Sequence, residues 1–245
     1  MKHMQTLKLA HINIEGSKHV DFVEAFLKAQ EPDIACMQEL NESDIDAFER
    51  ASGLACTFVP MNLTPEGVRH GLGIFTREKP LRIFQQKYGG SPSPQLPTVA
   101  REGRQAMHDT KWFILASADF KIGEETFRIA TTHFPATDNG EATDFQREEI
   151  KTLLAILKMR GEFILTGDFN APRGREIFSL IASTYKDNIP PEITTSIDGN
   201  IHRVGPLPYM VDGIFSTPAY KVSNVRGHSG ISDHWGFTAE ISKTT

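Results

Sequence analysis

The spacing of apolar residues predicts that strands and helices alternate at the start of the chain. Apolar runs typical of buried strands alternate with apolar repeats at helical spacing: strands at residues 7–14 and 33–40, helices at residues 19–30 and 41–51. The second helix would begin at Asn41 or Ser43, because both residue types are good N-caps. The chain therefore opens with two predicted strand–helix units.

Strand patterns dominate the rest of the chain. Short apolar or alternating runs predict strands at residues 54–59, 71–76, 81–86, 111–120, 126–132, 163–166, 193–197, 210–216, 220–226 and 235–241. One more helix is predicted from about residue 143 to residue 159, with apolar positions on one face. Residues 87–103 are rich in Gly, Pro and Ser, which predicts a long surface loop of the kind that often carries substrate contacts.

This succession of elements predicts the fold class. Many strands with a few helices between them favour an α/β sandwich, in which two mixed β-sheets pack face to face with helices outside. No composition break, repeat or low-complexity tract divides the chain, so we expect a single domain over residues 1–245. Residues 1–4 are excluded from the predicted fold.

The composition is that of a globular protein. The chain has 245 residues, and 39% of them are hydrophobic, which is enough to bury a sizeable core. No apolar run is long enough to span a bilayer, and the first residues lack the apolar stretch of a signal peptide. Cys36, one of two cysteines, lies in an apolar run, which favours a reduced, buried thiol and a cytoplasmic protein.

The charge balance narrows the possible partners. The formal net charge is −5, whereas a protein that grips duplex DNA through its phosphates usually has an excess of basic residues. Tight, non-specific binding of DNA is therefore disfavoured. A local basic rim stays open, and its candidates are Arg101, Arg104, Arg173 and Arg175. No protein partner can be inferred.

Polar clusters stand where the predicted strands meet loops. In chain order they are Asn13, Gln38 with Glu39, Thr132 with His133, Gly167 and Asp168 with Asn170, Asp212 in an apolar run, and Ser232 with Asp233 and His234. Mg²⁺ prefers hard oxygen ligands and keeps several waters, so one or two carboxylates and a substrate phosphate suffice. Phosphoryl chemistry also needs a group that orients or deprotonates water, and donors for the growing negative charge. Only the whole set supplies all of these.

Taken singly, each cluster also has a purely structural explanation. Glu39 resembles a solvated strand end, and residues 167–170 resemble a turn with a side-chain hydrogen bond. Asn13 could cap a turn, His133 could be a satisfied half-buried histidine, and Arg104 could be a solvated strand-end charge. Other chemistries have less support, because the chain has no His-Glu-x-x-His, Cys-x-x-Cys or phosphate-binding Gly-rich loop.

In this order, the clusters resemble the motifs of the endonuclease/exonuclease/phosphatase superfamily. That superfamily includes DNase I-like nucleases, abasic-site endonucleases, tyrosyl-DNA phosphodiesterases, sphingomyelinases and inositol polyphosphate phosphatases. The resemblance runs from about residue 7 to residue 241, and its specificity lies in the full ordered set. It implies a four-layered α/β sandwich with a site at one end of the two sheets, and a Mg²⁺-dependent phosphoesterase in which Mn²⁺ can substitute.

The resemblance also implies a role for each matching residue. These roles are metal ligands for Glu39, Asn13 and Asp233; the orientation or deprotonation of water for Asp168, helped by Asn170; contact with the scissile phosphate for His234, oriented by Asp212; stabilisation of charge on phosphate oxygens for His133; and contact with the substrate phosphate for Arg104. Arg101, which lies in the predicted surface loop, is a second candidate for substrate contact on its position alone. The expected reaction is hydrolysis of a phosphodiester, such as a DNA or RNA end, by metal-assisted attack of water.

Departures from the family pattern leave the substrate open. Abasic-site endonucleases usually have an aromatic residue after the aspartate that matches Asp212, whereas this chain has Gly213. The ending around His234, with Arg173 and Arg175 after Asn170, looks somewhat closer to the tyrosyl-DNA phosphodiesterases. A phosphomonoesterase for an inositol, sugar or nucleotide phosphate is the first alternative. A catalytically silent binding protein on the same scaffold is the second.

Overall fold

Twelve strands and five α-helices lie within residues 5–244, which are the residues described by the computed structural model. The strands are β1 (Leu7–Asn13), β2 (Ile34–Asn41), β3 (Ala55–Leu63), β4 (Arg69–Thr76), β5 (Arg82–Gly90), β6 (Trp112–Ile122), β7 (Glu125–His133), β8 (Ile164–Asp168), β9 (Lys186–Asp187), β10 (Asp212–Ser216), β11 (Tyr220–His228) and β12 (Gly236–Lys243). The helices are α1 (Val20–Gln30), α2 (Ile45–Ser52), α3 (Arg104–Asp109), α4 (Asp144–Arg160) and α5 (Glu176–Ala182). Residues 1–4, which the predicted fold excludes, and residue 245 lie outside the described residues.

The strands form two six-stranded mixed sheets. Sheet A has the order β11-β12-β1-β2-β4-β3, and sheet B has the order β5-β6-β7-β8-β10-β9. Each sheet contains a parallel pair at its centre: in sheet A, Asn13 of β1 pairs with Gln38 of β2; in sheet B, His133 of β7 pairs with Asp168 of β8. Because parallel strands end at the same edge of a sheet, the polar residues that end these four strands are gathered there.

The alternation of side chains along β1 explains the layers. Leu7 and Leu9 belong to an apolar cluster that includes the strands of sheet B, whereas Ala10 and Ile12 belong to a second cluster with α1 and α2. Helices α4 and α5 contribute their apolar residues to the first cluster. The predicted four-layered α/β sandwich is therefore confirmed. No helix of residues 5–244 combines the length and apolar character that a membrane span needs.

Helix α4 illustrates how local sequence fixes an element. The predicted helix at residues 143–159 is observed at Asp144–Arg160. Its N-cap is Thr143, whose hydroxyl accepts a hydrogen bond from the backbone N–H of Gln146 at 3.3 Å. It ends at Gly161, whose φ of 74° lies in the left-handed region that glycine adopts readily.

The strand predicted at residues 193–197 is wrong. Only an isolated bridge forms there, between Ile197 and His234. The Thr195 hydroxyl accepts the N–H of Ile197 at 3.0 Å and donates to the carbonyl of Leu207 at 2.8 Å, so side-chain bonds replace a strand ladder. The Oγ of Ser196 accepts the N–H of Asp212 at 3.2 Å. This irregular segment therefore holds two site residues in place.

One helix prediction needs correction, and two short helices were missed. Helix α2 begins at Ile45, after a 3₁₀ turn at Glu42–Asp44, and not at Asn41 or Ser43. The Asn41 side chain instead bonds Ser17 at 2.8 Å and His70 at 2.9 Å. Short helices α3 and α5 were not predicted. Arg104, expected just before a strand, begins α3.

Candidate active site

A pocket of about 390 Å³ opens where the parallel strands of both sheets end. The predicted site residues that line it are Glu39, Arg104, His133, Asp168, Asn170, Asp233 and His234. Asn13 and Asp212 are buried beneath it and hydrogen-bond to residues of its wall. The fold thus brings nine of the ten predicted residues together from positions 13 to 234.

Glu39 reaches the pocket through an irregularity in its strand. The pairing of β2 with β4 shifts register between Met37 and Leu40, and Glu39 has a φ of 56° in the left-handed region. A non-glycine residue rarely adopts this conformation, and such backbone strain is concentrated at functional sites. The Oε1 of Glu39 accepts a hydrogen bond from the Nδ2 of Asn13 at 3.3 Å.

Asp168 is a buried carboxylate held by two asparagines. Its Oδ2 accepts a hydrogen bond from the Nδ2 of Asn13 at 3.0 Å, and its Oδ1 accepts one from the backbone N–H of Asn170 at 2.8 Å. Burial raises the pKa of Asp168 to about 7, the charge of Asp212 adds to this, and His234 opposes it. A carboxyl group with such a pKa is suited to taking a proton near neutral pH.

Asp212 lies beneath the pocket between two histidines. It is fully buried, directly opposite Asp168 in the pairing of β10 with β8. Its Oδ2 lies 2.7 Å from the Nδ1 of His234, and its Oδ1 lies 2.9 Å from the Nε2 of His11. Burial alone would raise the pKa of Asp212, but the charge of His234 and these hydrogen bonds lower it. Asp212 is therefore an ionised carboxylate with a histidine at each oxygen.

His133 has a different environment. Its Nε2 lies 3.5 Å from Asp168 and 3.8 Å from Glu39, and its Nδ1 accepts from the ammonium of Lys111 at 3.4 Å. Burial lowers the pKa of His133 well below its ordinary value, and the cation of Lys111 and nearby His70 lower it further. His133 is thus neutral, with its proton on the Nε2 that faces the carboxylates.

Three carboxylates form an acidic group in the pocket: Glu15, Glu39 and Asp233. Desolvation raises the pKa of Asp233, and the charges of Glu15 and Glu39 raise it further against the opposing effect of His234. Carboxylates that repel one another in this way offer hard oxygen donors whose repulsion a divalent cation would relieve. Glu39 and Asp233, the predicted ligands, thus supply hard oxygen donors of the kind that a divalent cation binds, and the metal site itself stays a prediction.

The orientation of Asn13 differs from that of a direct ligand. Its amide Nδ2 faces Glu39 and Asp168, while its Oδ1 accepts the backbone N–H of Glu15 at 3.1 Å. In this structure Asn13 acts as a hydrogen-bond donor that positions the two carboxylates. Its role as a metal ligand stays a prediction.

One group of the described residues could hold a cation on distance alone. Ligand atoms of Asp168, Asp212 and His234 lie within 4.8 Å of one another. However, both oxygens of Asp212 already accept hydrogen bonds from histidines, and the Nδ1 of His234 provides one of them. We therefore interpret this group as a charge-assisted hydrogen-bond network.

The four arginines do not form a basic rim. Arg101 lies outside the pocket among the described residues, is 70% exposed, and pairs with Glu66 at 3.0 Å. Arg104 lines the pocket and lies 3.4 Å from Asp138. Arg173 pairs with Asp187 at 2.9 Å, and Arg175 pairs with Glu141 at 3.0 Å. Arg104 is thus the one of the four that lines the pocket.

Several residues of the site were not predicted, among them His11, Glu15, His70 and Lys111. His11 shares the inward-facing parity of Leu7, Leu9 and Asn13, so alternation along β1 could have identified it. Glu15 follows Asn13 by two residues at a strand end, which is also a usable signal. His70 and Lys111 reach the pocket through long-range packing, for which the local sequence gives no signal.

Gly213 departs from the family pattern for a reason of packing. A Cβ at this position would lie 2.5 Å from the Phe215 ring and 2.8 Å from the Phe169 ring. Both rings are fully buried, so a larger residue would force the sheet apart. The packing of these two rings therefore requires a glycine at this position.

Solved structures share this fold. An endonuclease/exonuclease/phosphatase family protein from Bacteroides thetaiotaomicron is 16% identical, with a TM-score of 0.75 over 99% of this chain and 100% of that chain. A mannosyl-6-phosphatase from the same organism is 17% identical, with a TM-score of 0.71 over 96% and 99%. The human nocturnin catalytic domain with bound sulfate is 18% identical, with a TM-score of 0.72 over 98% and 94%. At these identities the likeness shows the fold alone.

A sequence profile extends the comparison to the family. A search of curated protein sequences gives no match. The profile of the Endonuclease/Exonuclease/phosphatase family, however, matches residues 10–234, from the strand that carries Asn13 to His234. The chain therefore belongs to the endonuclease/exonuclease/phosphatase family, whose members hydrolyse phosphate esters.

Proposed function

We propose that the protein hydrolyses a phosphodiester, presented as a DNA or RNA end or a related small ester, by attack of water in the presence of a divalent cation. One observation carries the proposal. The Asp168 carboxylate, positioned by two asparagines, lies 3.5 Å from His133 and 3.8 Å from His234 at the pocket wall. A proton acceptor and two N–H donors therefore converge where a phosphate group would sit.

Asp168 orients the attacking water and takes its proton. Its anionic form is fixed by hydrogen bonds from Asn13 and Asn170, so the accepting oxygens cannot rotate away. The raised pKa of Asp168, about 7, makes its carboxylate basic enough to accept a proton near neutral pH.

The two histidines contact phosphate oxygens, one as a charged donor and the other as a neutral donor. Burial lowers the pKa of His234, but the carboxylates of Asp212 and Asp168 outweigh this and hold it well above its ordinary value. His234 therefore supplies a positively charged donor, and neutral His133 supplies an uncharged one through its Nε2. Preorganised donors of this kind stabilise the charge that develops in the transition state.

The acidic group would hold the cation. When bound, Mg²⁺ would offset negative charge on the phosphate oxygens, and Mn²⁺ could substitute because it accepts the same oxygen ligands. Glu39 and Asp233 would bind it, with Glu15 beside them. Lys18 and His19 pair with Glu15 and keep that side chain in the pocket wall.

A diester is the first candidate and a monoester the second. Four carboxylates line the pocket, those of the acidic group and Asp168, and they repel a doubly charged monoester more than a singly charged diester. Four basic side chains, those of Lys18, Arg104, Lys111 and Arg203, oppose this effect. A monoester of a sugar, inositol or nucleotide remains the second candidate, because Lys111 adds a cation next to His133.

A panel of substrates tests the proposal. Bis(p-nitrophenyl) phosphate, p-nitrophenyl phosphate, short oligonucleotides with plain or phosphotyrosyl ends, abasic DNA and inositol phosphates should be compared with Mg²⁺ and with EDTA. We expect cleavage of diesters with Mg²⁺ or Mn²⁺, and none with EDTA. Asp168→Asn is the control for contaminating activity.

Each other outcome has a clear meaning. Preference for p-nitrophenyl phosphate and inositol phosphates over the diesters would select the second candidate. Zn²⁺ restoring activity while Mg²⁺ is inert would contradict the proposed oxygen ligands. Binding without turnover of any ester would identify a catalytically silent protein.

A further inference from the structure

His11 is a buried histidine that lies behind the pocket, on the opposite side of Asp212 from His234. It stands on β1 of sheet A, whereas Asp212 begins β10 of sheet B, so their 2.9 Å contact crosses the space between the sheets. Both side chains are fully buried. Each Asp212 oxygen thus has its own histidine: Oδ1 has His11 and Oδ2 has His234.

The contacts fix the tautomer of His11. A carboxylate can only accept hydrogen bonds, so the Nε2 of His11 carries the proton. The Nδ1 of His11 is buried and has no hydrogen-bond partner among residues 5–244. A second proton there would be an unpaired, buried N–H, which is costly. His11 therefore makes one side-chain hydrogen bond, and that bond is donated to Asp212.

Packing alone does not account for this residue. His11 stacks on Phe237, with ring centroids 6.3 Å apart, in a layer that an apolar side chain could fill. An apolar residue would also avoid the unpaired Nδ1. The bond to Asp212 is what a histidine adds at this position.

We infer that His11 is a positioning residue, which holds the Asp212 carboxylate in the orientation that keeps His234 directed at the substrate. This inference rests on the proposed function of His234. With a donor on each oxygen, the carboxylate cannot rotate about its bond to the Cβ without breaking a buried hydrogen bond. Loss of His11 would leave the Oδ1 of Asp212 unpaired and free the carboxylate to turn away from His234.

A matched pair of substitutions tests the inference. His11→Met and His11→Gln introduce side chains of similar length, but only glutamine retains an N–H that can reach Asp212. We expect His11→Met to lower kcat on bis(p-nitrophenyl) phosphate by about tenfold, as loss of a partner that orients an active-site ligand does, with KM nearly unchanged. His11→Gln should restore most of kcat. If His11→Met does not fold, His11→Leu takes its place with the same expectation.

The inference requires that the loss of His11 lowers kcat only by changing the orientation of Asp212. In an Asp212→Asn background, His11→Met should lower kcat no further, because residues that act as a unit are non-additive. His228→Met is the control, since His228 bonds Thr238 at 2.8 Å and does not line the pocket. That control should leave kcat unchanged. Equal kcat for His11→Met and the unmodified protein, or fully additive losses with Asp212→Asn, would overturn the inference.

A measurement without substrate separates this inference from the proposed function. The proton between the Nδ1 of His234 and Asp212 should give a far-downfield proton NMR signal in the metal-free protein. We expect this signal to be lost or shifted in His11→Met and retained in His11→Gln. An unchanged signal in His11→Met would show that His11 does not position Asp212, even if no phosphate ester were hydrolysed.

Discussion

His133 and His234 line the same pocket, but their neighbours shift their pKa values in opposite directions. Both histidines are buried, and each has its Nε2 within 4 Å of the same Asp168 oxygen, at 3.5 Å and 3.8 Å. Yet the pKa of His133 lies well below the ordinary value, and the pKa of His234 lies well above it. Burial lowers both. Lys111 and His70 add to that effect at His133, whereas Asp212 and Asp168 reverse it at His234.

This difference shows that neighbours, and not residue type, decide the charge of a site histidine. The two histidines end up as one uncharged and one charged donor on either side of a single carboxylate. A phosphate group placed between them would meet both kinds of donor at once. The predictions below remove, in turn, the carboxylate that the histidines share, each histidine, and the cation of Lys111 beside His133.

Removing the shared carboxylate should have the largest effect. Asp168→Asn should lower kcat by about 10⁴-fold, near the upper end of what a general base contributes. It should also lower the pKa of His234, because one of the carboxylates that raise it is lost. Steady-state kinetics and NMR titration of the metal-free protein measure the two effects.

Asp187→Asn is the matched control for Asp168→Asn. Asp187 pairs with Arg173 at 2.9 Å and does not line the pocket. It should leave kcat unchanged. Retention of more than about a tenth of the activity in Asp168→Asn would exclude Asp168 as the base.

Removing each histidine should give unequal losses. His234→Ala should lower kcat by about 10³-fold and His133→Ala by about 10²-fold, since a charged donor stabilises developing negative charge more than a neutral one. The double change Asp212→Ala/His234→Ala should be little worse than His234→Ala, because Asp212 acts through His234. Equal losses for the two histidines would show that their different charges have no consequence for catalysis.

Removing the cation of Lys111 should reduce the difference in pKa between His133 and His234. Lys111→Met should raise the pKa of His133, because a nearby positive charge that disfavours protonation is gone. The pKa of His234 should change much less. NMR titration of the metal-free protein measures both. A larger shift at His234 than at His133 would contradict the assigned neighbours.

The sequence predicted the positions of the site residues better than their protonation states. The apolar runs that became β1, β2, β7 and β8 each ended at a polar residue, so Asn13, Glu39, His133 and Asp168 could be placed at strand ends. Their convergence depends on parallel pairing, which no local pattern reveals and which the family resemblance supplied. The charge of His133 depends on Lys111, which is 22 positions away and reaches it only in the folded chain.

The errors also have physical reasons. Residues 193–197 are rich in β-branched residues, which are typical of strands, but the Thr195 hydroxyl bonds the N–H of Ile197 and the carbonyl of Leu207 instead. Arg101 was grouped with Arg104 because both stand near the predicted loop. In the fold, Arg104 begins α3 and lines the pocket, whereas Arg101 points to Glu66.

The smallest effect is expected from these two arginines. Arg104→Ala should raise KM by about threefold, the size expected of an exposed ion contact, and Arg101→Ala should leave KM unchanged. Neither should alter stability much, since both side chains are exposed. Turnover should also depend only weakly on salt between about 50 and about 200 mM, because a pocket that takes one phosphate group releases few counterions. Equal KM changes for the two variants, or a steep salt dependence on long duplex DNA, would show that the substrate extends far beyond the pocket.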